Sequence, residues 1–295
     1  MKKIFLDTDI GGDIDDALAL YFILGAPEAF ELKGISTVHV EPGLRAGLAR
    51  HICGLFKRSE IPVCAGMAKP LNGWWDKKHR PTQCDALDGS AAFDRGSGVD
   101  LMIDTAKKNP GMDIVAIGPL TNVAAALIQR PEIAKEHAIT IMGGMVSSSK
   151  PEWNIMLDPE AARVVFESGA KLTMFGLDVT LKCRMNRAQA DGIKKRGTER
   201  HDFLKKIMDI HENECRQLPV LHDPLALSFY MFGSEMGFSR MRLTVETRGE
   251  FTRGTTAVMD GWSPNFVPED FPHVNVCVSA DGDSFAERIT EVIAR

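Results

Sequence analysis

The sequence predicts an α/β protein. A largely parallel central sheet is flanked by helices, with a helical insertion and a C-terminal strand pair, in one domain over residues 1–295. Three observations predict it. Short apolar runs alternate with helical patterns from residue 3 to residue 175, the rhythm of strand–helix–strand units. Residues 187–217 break that rhythm with a long charged, helical stretch. Two strand-like runs then follow before a last amphipathic helix.

Taken in order, residues 3–7 (KIFLD) form a short apolar strand, and Ala17–Gly25 is rich in helix formers. Residues 33–40 (KGISTVHV) read as a strand, Arg45–Phe56 as an amphipathic helix and Ile61–Cys64 as a further strand. Residues 66–98 carry Pro, Gly, two tryptophans and mixed charges; they are too long for a simple connection and read as a functional loop or lid. The alternation resumes with a helix at Val99–Lys107, a strand at Asp113–Ile117 and a helix at Asn122–Gln129. A strand at Ala138–Met142, a helix at Pro159–Ser168 and a strand at Lys171–Phe175 continue it. Beyond the insertion, a helix runs through LALSFYMF, and strands are expected at Arg242–Thr247 and Thr252–Met259. Phe285, Ile289, Val292 and Ile293 then make one apolar stripe of a closing helix.

Composition narrows the function. With 35 Lys plus Arg against 40 Asp plus Glu, the formal charge is −5, which argues against nucleic-acid binding through bulk charge. The 6 cysteines are scattered without a CxxC pair, so neither a zinc ribbon nor a dense disulfide framework is expected. Asp7 and Asp9 fall where a signal peptide needs an apolar run. The longest apolar stretch, Ala17–Ala26, is about half a membrane span. The expectation is a soluble, cytoplasmic protein with no membrane partner.

The most informative stretch is DTDIGGDIDDA, where Asp7, Asp9, Asp13, Asp15 and Asp16 crowd between an apolar strand and an apolar helix. In a parallel sheet the carboxyl ends of strands are where ligands bind. One or two aspartates fit helix capping, worth a few tenths to about 1 kcal/mol each. Five exceed it, and such a density repels itself unless a cation neutralises it. Oxygen ligands favour Ca²⁺ or Mg²⁺ over zinc. Gly11 and Gly12 permit a sharp turn that lets Asp9 face Asp15 and Asp16. Far along the chain, His222-Asp223-Pro224 marks another loop-to-helix junction, with Pro224 suited to the first helical turn. Asp223 alone would read as a helix cap and His222 as a core histidine; their adjacency offers a carboxylate ligand beside a side chain that titrates near neutrality.

At this point the chain resembles the inosine–uridine preferring nucleoside hydrolase family. The resemblance rests on Asp7–Ala17, Pro62–Leu71 (PVCAGMAKPL), Gly118–Asn122 (GPLTN), Glu152–Ala161 (EWNIMLDPEA), His222–Ala226 (HDPLA) and Val245–Gly254 (VETRGEFTRG). The resemblance implies a largely parallel α/β fold and hydrolysis of the N-glycosidic bond of a ribonucleoside or related N-riboside. It implies a Ca²⁺ ion held by Asp9, Asp16, Asp223 and the Thr121 carbonyl, gripping the ribose 2′ and 3′ hydroxyls and a water. It implies ribose contacts from Asp15, Glu152 and Asn154, and His222 near the leaving base. Dimers and tetramers are the family habit, so a homo-oligomer is expected.

The chemistry follows. Breaking C1′–N builds oxocarbenium character that a ring of anionic groups stabilises. Asp9 takes a proton from the attacking water as general base, and the departing base needs a proton, for which His222 is the available donor, or another way to hold negative charge. Trp153 reads equally as a base-stacking residue or as core packing. His79 or Arg80 could serve as a proton donor, although a solvated basic loop is the plainer reading. The chain departs from the family pattern at Asp85–Gly89, at Val38-His39-Val40-Glu41 and at Val146, which leaves the ribosyl substrate open. Two rivals stand beside this reading: a catalytically silent ribosyl- or metal-binding protein on the same fold, and a phosphatase of the HAD type with Asp7 as nucleophile.

Overall fold

A computed structural model describes residues 1–72, 79–87, 89 and 92–295. The expected lid at 66–98 therefore lies partly outside the described residues, including Trp74 and Trp75. Among the described residues, nine strands form one sheet: β1 (Lys2–Thr8), β2 (Phe30–Thr37), β3 (Val63–Ala65), β4 (Asp113–Ala116), β5 (Ala138–Met142), β6 (Lys171–Phe175), β7 (Gly237–Val245), β8 (Thr256–Val258) and β9 (His273–Ser279). Their order is β3-β2-β1-β4-β5-β6-β9-β7-β8. The strands from β3 through β9 in that order run parallel, while β7 pairs antiparallel with both β9 and β8. The sheet is thus largely parallel with an antiparallel edge, as the sequence predicts.

The connecting helices are α1 (Asp15–Gly25), α2 (Pro42–Leu55), α3 (Gly98–Lys108), α4 (Thr121–Gln129), α5 (Ile133–Glu136), α6 (Trp153–Leu157), α7 (Pro159–Phe166), α8 (Leu177–Thr180), α9 (Arg187–Lys194), α10 (Glu199–Cys215), α11 (His222–Phe232) and α12 (Gly282–Ile293). Strand alternation splits the apolar residues between two cores. Ile4, Leu6, Val115 and Ile117 pack with α1, α2, α11 and α12, whereas Phe5, Ile114 and Ala116 pack with α3, α4 and α7. Helix α1 is apolar all round because it lies between the sheet and helices α11 and α12, with Asp15 through Leu24 all buried. Pro42 and Pro159 each start a helix where a missing N–H costs nothing, and Asn186 with Gln189 closes a reciprocal cap on α9.

Several boundaries differ from the sequence expectation. Strand β2 begins at Phe30 and ends at Thr37, because His39 and Glu41 adopt left-handed backbone (φ 72° and 56°) and turn the chain into α2. The strand pair expected at Arg242–Thr247 and Thr252–Met259 is β7 and the shorter β8; Glu246 accepts hydrogen bonds from the Arg248 and Gly249 amides in the turn between them. Strand β9 enters the sheet between β6 and β7, a position the sequence reading did not assign. No helix among the described residues is long and apolar enough to cross a membrane.

Candidate active site

A cavity of about 340 Å³ opens at the carboxyl ends of the parallel strands. Its wall takes Asp9, Gly12 and Asp13 from the β1–α1 loop, Asp15 and Asp16 from the first turn of α1, Ile117 after β4, Met142 from β5, Glu152–Asn154, Leu177 after β6, and His222–Asp223 at the start of α11, with Arg45 and His79. The sheet order explains the convergence: β1 lies between β2 and β4, so its loop meets the β4–α4 turn on one side and α2, which follows β2, on the other.

The loop is shaped by its close neighbours. Gly11 has φ +109°, and a Cβ there would meet Pro81 Cβ at 2.8 Å, so two demands fix glycine at once. Across the loop, a Cβ on Gly118 would stand 2.6 Å from Asp9 Oδ1, which places the Asp9 carboxylate against the β4–α4 turn. Thr8 Oγ1 donates to Asp16 Oδ1 (2.5 Å) and accepts from the Ile10 amide (3.1 Å), orienting Asp16 at the first turn of α1. Asp7 faces elsewhere. Its Oδ1 accepts from Ser36 Oγ (2.5 Å) and Asn122 Nδ2 (2.8 Å), and burial pushes its carboxyl up to about 7. Asp7 thus ties β1, β2 and α4 together and lies outside the cavity wall, which removes the nucleophile that a phosphatase would need.

Ligand oxygens of Asp15, Asp16 and Asp223 lie within 4.8 Å of one another, and all three residues are buried. Burial first, and then their mutual repulsion with Asp9, raises all three carboxyls well above the ordinary range. Three buried carboxyl groups crowded this closely demand protons or a cation among them. The donor set therefore fits a hard divalent ion. Burial also raises the Asp9 carboxyl, with the Arg45 guanidinium opposing. Thr121 opens α4, and its hydroxyl is fixed by Asp158 Oδ2 (2.7 Å), which also accepts from the Leu71 amide (2.8 Å).

The opposite wall carries the remaining sequence candidates. Glu152 is buried and caps α6, accepting from the amides of Gly144 (2.9 Å), Asn154 (2.9 Å) and Ile155 (3.1 Å), while burial raises its carboxyl to about 6. Asn154 Nδ2 donates to the carbonyls of Ile117 (2.9 Å) and Met142 (3.2 Å), which locks its amide at the ends of β4 and β5. Trp153 is 39% exposed and packs against the imidazole of His79, ring centroids 4.9 Å apart and planes tilted by 43°. Of its two sequence readings, core packing is therefore excluded. His79 itself stands in the cavity wall instead of in a solvated loop, while Arg80 pairs outside it with Asp85. His222 Nδ1 is 2.8 Å from Thr180 Oγ1, and burial lowers its imidazole to about 4, so the ring is neutral near pH 7.

The structure brings Asp9, Asp15, Asp16, Glu152, Trp153, Asn154, His222 and Asp223 to one cavity. Thr121 is buried and is not among the residues that line the cavity. Glu41, Asp85 and Val146, the departures from the family pattern, do not line it among the described residues. Arg45 went unread in the sequence: a fully buried arginine beneath the aspartate loop. Helix α2 also carries Arg50 and His51, so nothing local in the sequence sets Arg45 apart as the buried one.

Comparison with known proteins agrees with this geometry. The family described as inosine–uridine preferring nucleoside hydrolase matches residues 4–287. The pyrimidine-specific ribonucleoside hydrolase RihA of Salmonella arizonae is 32% identical, with 98% of this chain and 97% of that protein aligned. Among solved structures, a plant nucleoside hydrolase, PpNRh1, superposes with a TM-score of 0.87 at 25% identity, covering 99% of both chains. The purine-preferring ribonucleoside hydrolase from Gardnerella vaginalis gives 0.85 at 28% identity, over 99% of this chain and 98% of that one.

Proposed function

The chain belongs to the inosine–uridine preferring nucleoside hydrolase family and is a ribonucleoside N-glycosidic hydrolase, and on that premise we propose that it works with Ca²⁺ held by Asp9, Asp16, Asp223 and the Thr121 carbonyl. The observation that carries this reading is the buried pair Asp16 and Asp223, whose ligand oxygens lie within 4.8 Å of one another and of Asp15, with Asp9 in the same cavity wall. When bound, the ion supplies charge that orders the ribose 2′ and 3′ hydroxyls and acidifies a water.

The chain's own groups do the rest. Asp15 accepts a hydrogen bond from the ribose, and the locked amide of Asn154 faces the sugar from the other wall. Glu152, held by three backbone amides, contributes fixed negative charge toward the oxocarbenium-like sugar. Asp9 takes the proton of the water whose oxygen bonds to C1′, and the C1′–N electron pair leaves with the base. His222 stands beside the departing base, where a neutral imidazole offers it a hydrogen bond. Trp153 and His79 provide a stacking wall, which purines and pyrimidines can both use.

The test is reducing-sugar release from a panel of purine and pyrimidine ribonucleosides, with Asp9→Ala in parallel. Ribose release by the native chain and its loss by at least about 100-fold in the variant are expected, in line with removal of a general base. Full activity in Asp9→Ala sinks the assignment.

A further inference from the structure

The backbone carbonyls of the aspartate loop have an unusual set of partners. Arg45 Nη1 donates to the carbonyls of Asp9 and Ile10. The Gln83 amide N–H donates to Gly11 O (3.1 Å), and Gln83 Nε2 donates to Gly12 O (2.7 Å) and Asp13 O (2.8 Å). Five consecutive carbonyls, Asp9 to Asp13, are therefore satisfied by two residues from outside the loop. Arg45 is 1% exposed and Gln83 is 0% exposed, so these bonds are made away from water. Arg45 Nε also donates to Val40 O (2.8 Å), and Nη2 to His79 O (3.4 Å).

A buried backbone carbonyl left unpaired is costly, so a loop whose carbonyls point away from its own amides needs donors from outside. With all five drawn to the Arg45–Gln83 side, the peptide planes are fixed and the carboxylates of Asp9, Asp15 and Asp16 are left to the cavity. The arginine charge also favours the ionised forms of Asp9 and Asp16. Because Arg45 bonds His79 O and Gln83 follows four residues later, the same two residues register the stacking wall against the carboxylates.

We propose that Arg45 and Gln83 are positioning residues for the hydrolysis. They preform the aspartate loop and couple it to the wall carrying His79 and Trp153. The inference rests on the calcium reading for its first readout only.

Gln83→Met, which keeps the volume and the backbone N–H but loses both Nε2 bonds, is compared with Arg45→Lys and Arg45→Met. Fold is checked by near-ultraviolet circular dichroism, Ca²⁺ dissociation constants by calorimetry, and kcat/KM by ribose release. Expected for folded Gln83→Met is a Ca²⁺ dissociation constant raised about 10-fold or more, with kcat/KM reduced by about 10- to 100-fold, the range for outer-shell support of a site. Arg45→Lys should fall between the native chain and Arg45→Met, because lysine restores charge without the planar fork. If Gln83→Met and Arg45→Lys lose only thermal stability, with native Ca²⁺ affinity and kcat/KM, the proposal is overturned. A native chain that binds no Ca²⁺ overturns the cation reading instead, and kcat/KM of Gln83→Met still decides this one.

Discussion

Thr8→Val isolates the support of one ligand without touching the ligand. Thr8 is 1% exposed, and valine nearly matches its volume, so packing changes little. The substitution deletes the hydrogen bond to Asp16 Oδ1 and strands the Ile10 amide, which loses its acceptor. A hydrogen bond to a carboxyl contributes about 0.5–3 kcal/mol according to its charge, and an orphaned buried donor costs about 1–3 kcal/mol. Since the loop can relax in part, a net loss of about 2–4 kcal/mol is expected in chelator. Freed from its anchor, Asp16 should bind Ca²⁺ about 10- to 100-fold more weakly. Urea unfolding with EGTA reads the first quantity and calorimetric Ca²⁺ titration the second. Thr8→Val with native Ca²⁺ affinity and a stability loss under about 0.5 kcal/mol would refute the reasoning, since neither bond would then matter.

Other expectations follow from the opposite wall. Glu152 titrates near about 6 in the fold against an ordinary 4.5, so the folded chain binds this proton more tightly than the unfolded one. Its contribution to stability is fully present below about pH 4.5 and is lost as pH rises through about 6, a change of about 2 kcal/mol. The stability of the native chain minus that of Glu152→Gln, measured by urea unfolding in EGTA, should therefore fall by that amount between pH 4 and pH 7.5, as estimated by linkage; a flat or rising difference contradicts it. Trp153→Ala should raise KM for nucleosides by about 10- to 100-fold, the range expected from loss of a stacking partner. Its stability should change little because Trp153 is 39% exposed. An unchanged KM would remove Trp153 from the base site.

The legible parts of this protein are those written locally. The β1 run and the aspartates that follow it announce a strand end and a ligand site in eleven residues, and HDP marks a helix start. The alternation through residue 175 gave the parallel sheet because each buried strand is a short apolar run. Tertiary decisions were not legible. Trp153 had two readings because only the approach of His79, 74 positions earlier, sets its exposure. The Arg45–Gln83 clamp on the aspartate loop spans sequence gaps of 35 to 72 residues, so no local pattern records it. Strand β9 has no local signature, because it follows a Pro- and Asp-rich stretch and pairs with β6 and β7, each reached only through the sheet. Where β2 ends was set by left-handed His39 and Glu41, residue types that do not advertise that conformation.

The central claim is that the buried carboxylates hold a Ca²⁺ ion the hydrolysis requires. The most direct measurement is ribose release by protein stripped with EGTA to below stoichiometric metal, verified by elemental analysis, before and after Ca²⁺ is restored. Loss of activity on stripping and its return with about one Ca²⁺ per chain is the predicted result. Full activity in verified metal-free protein would contradict the account.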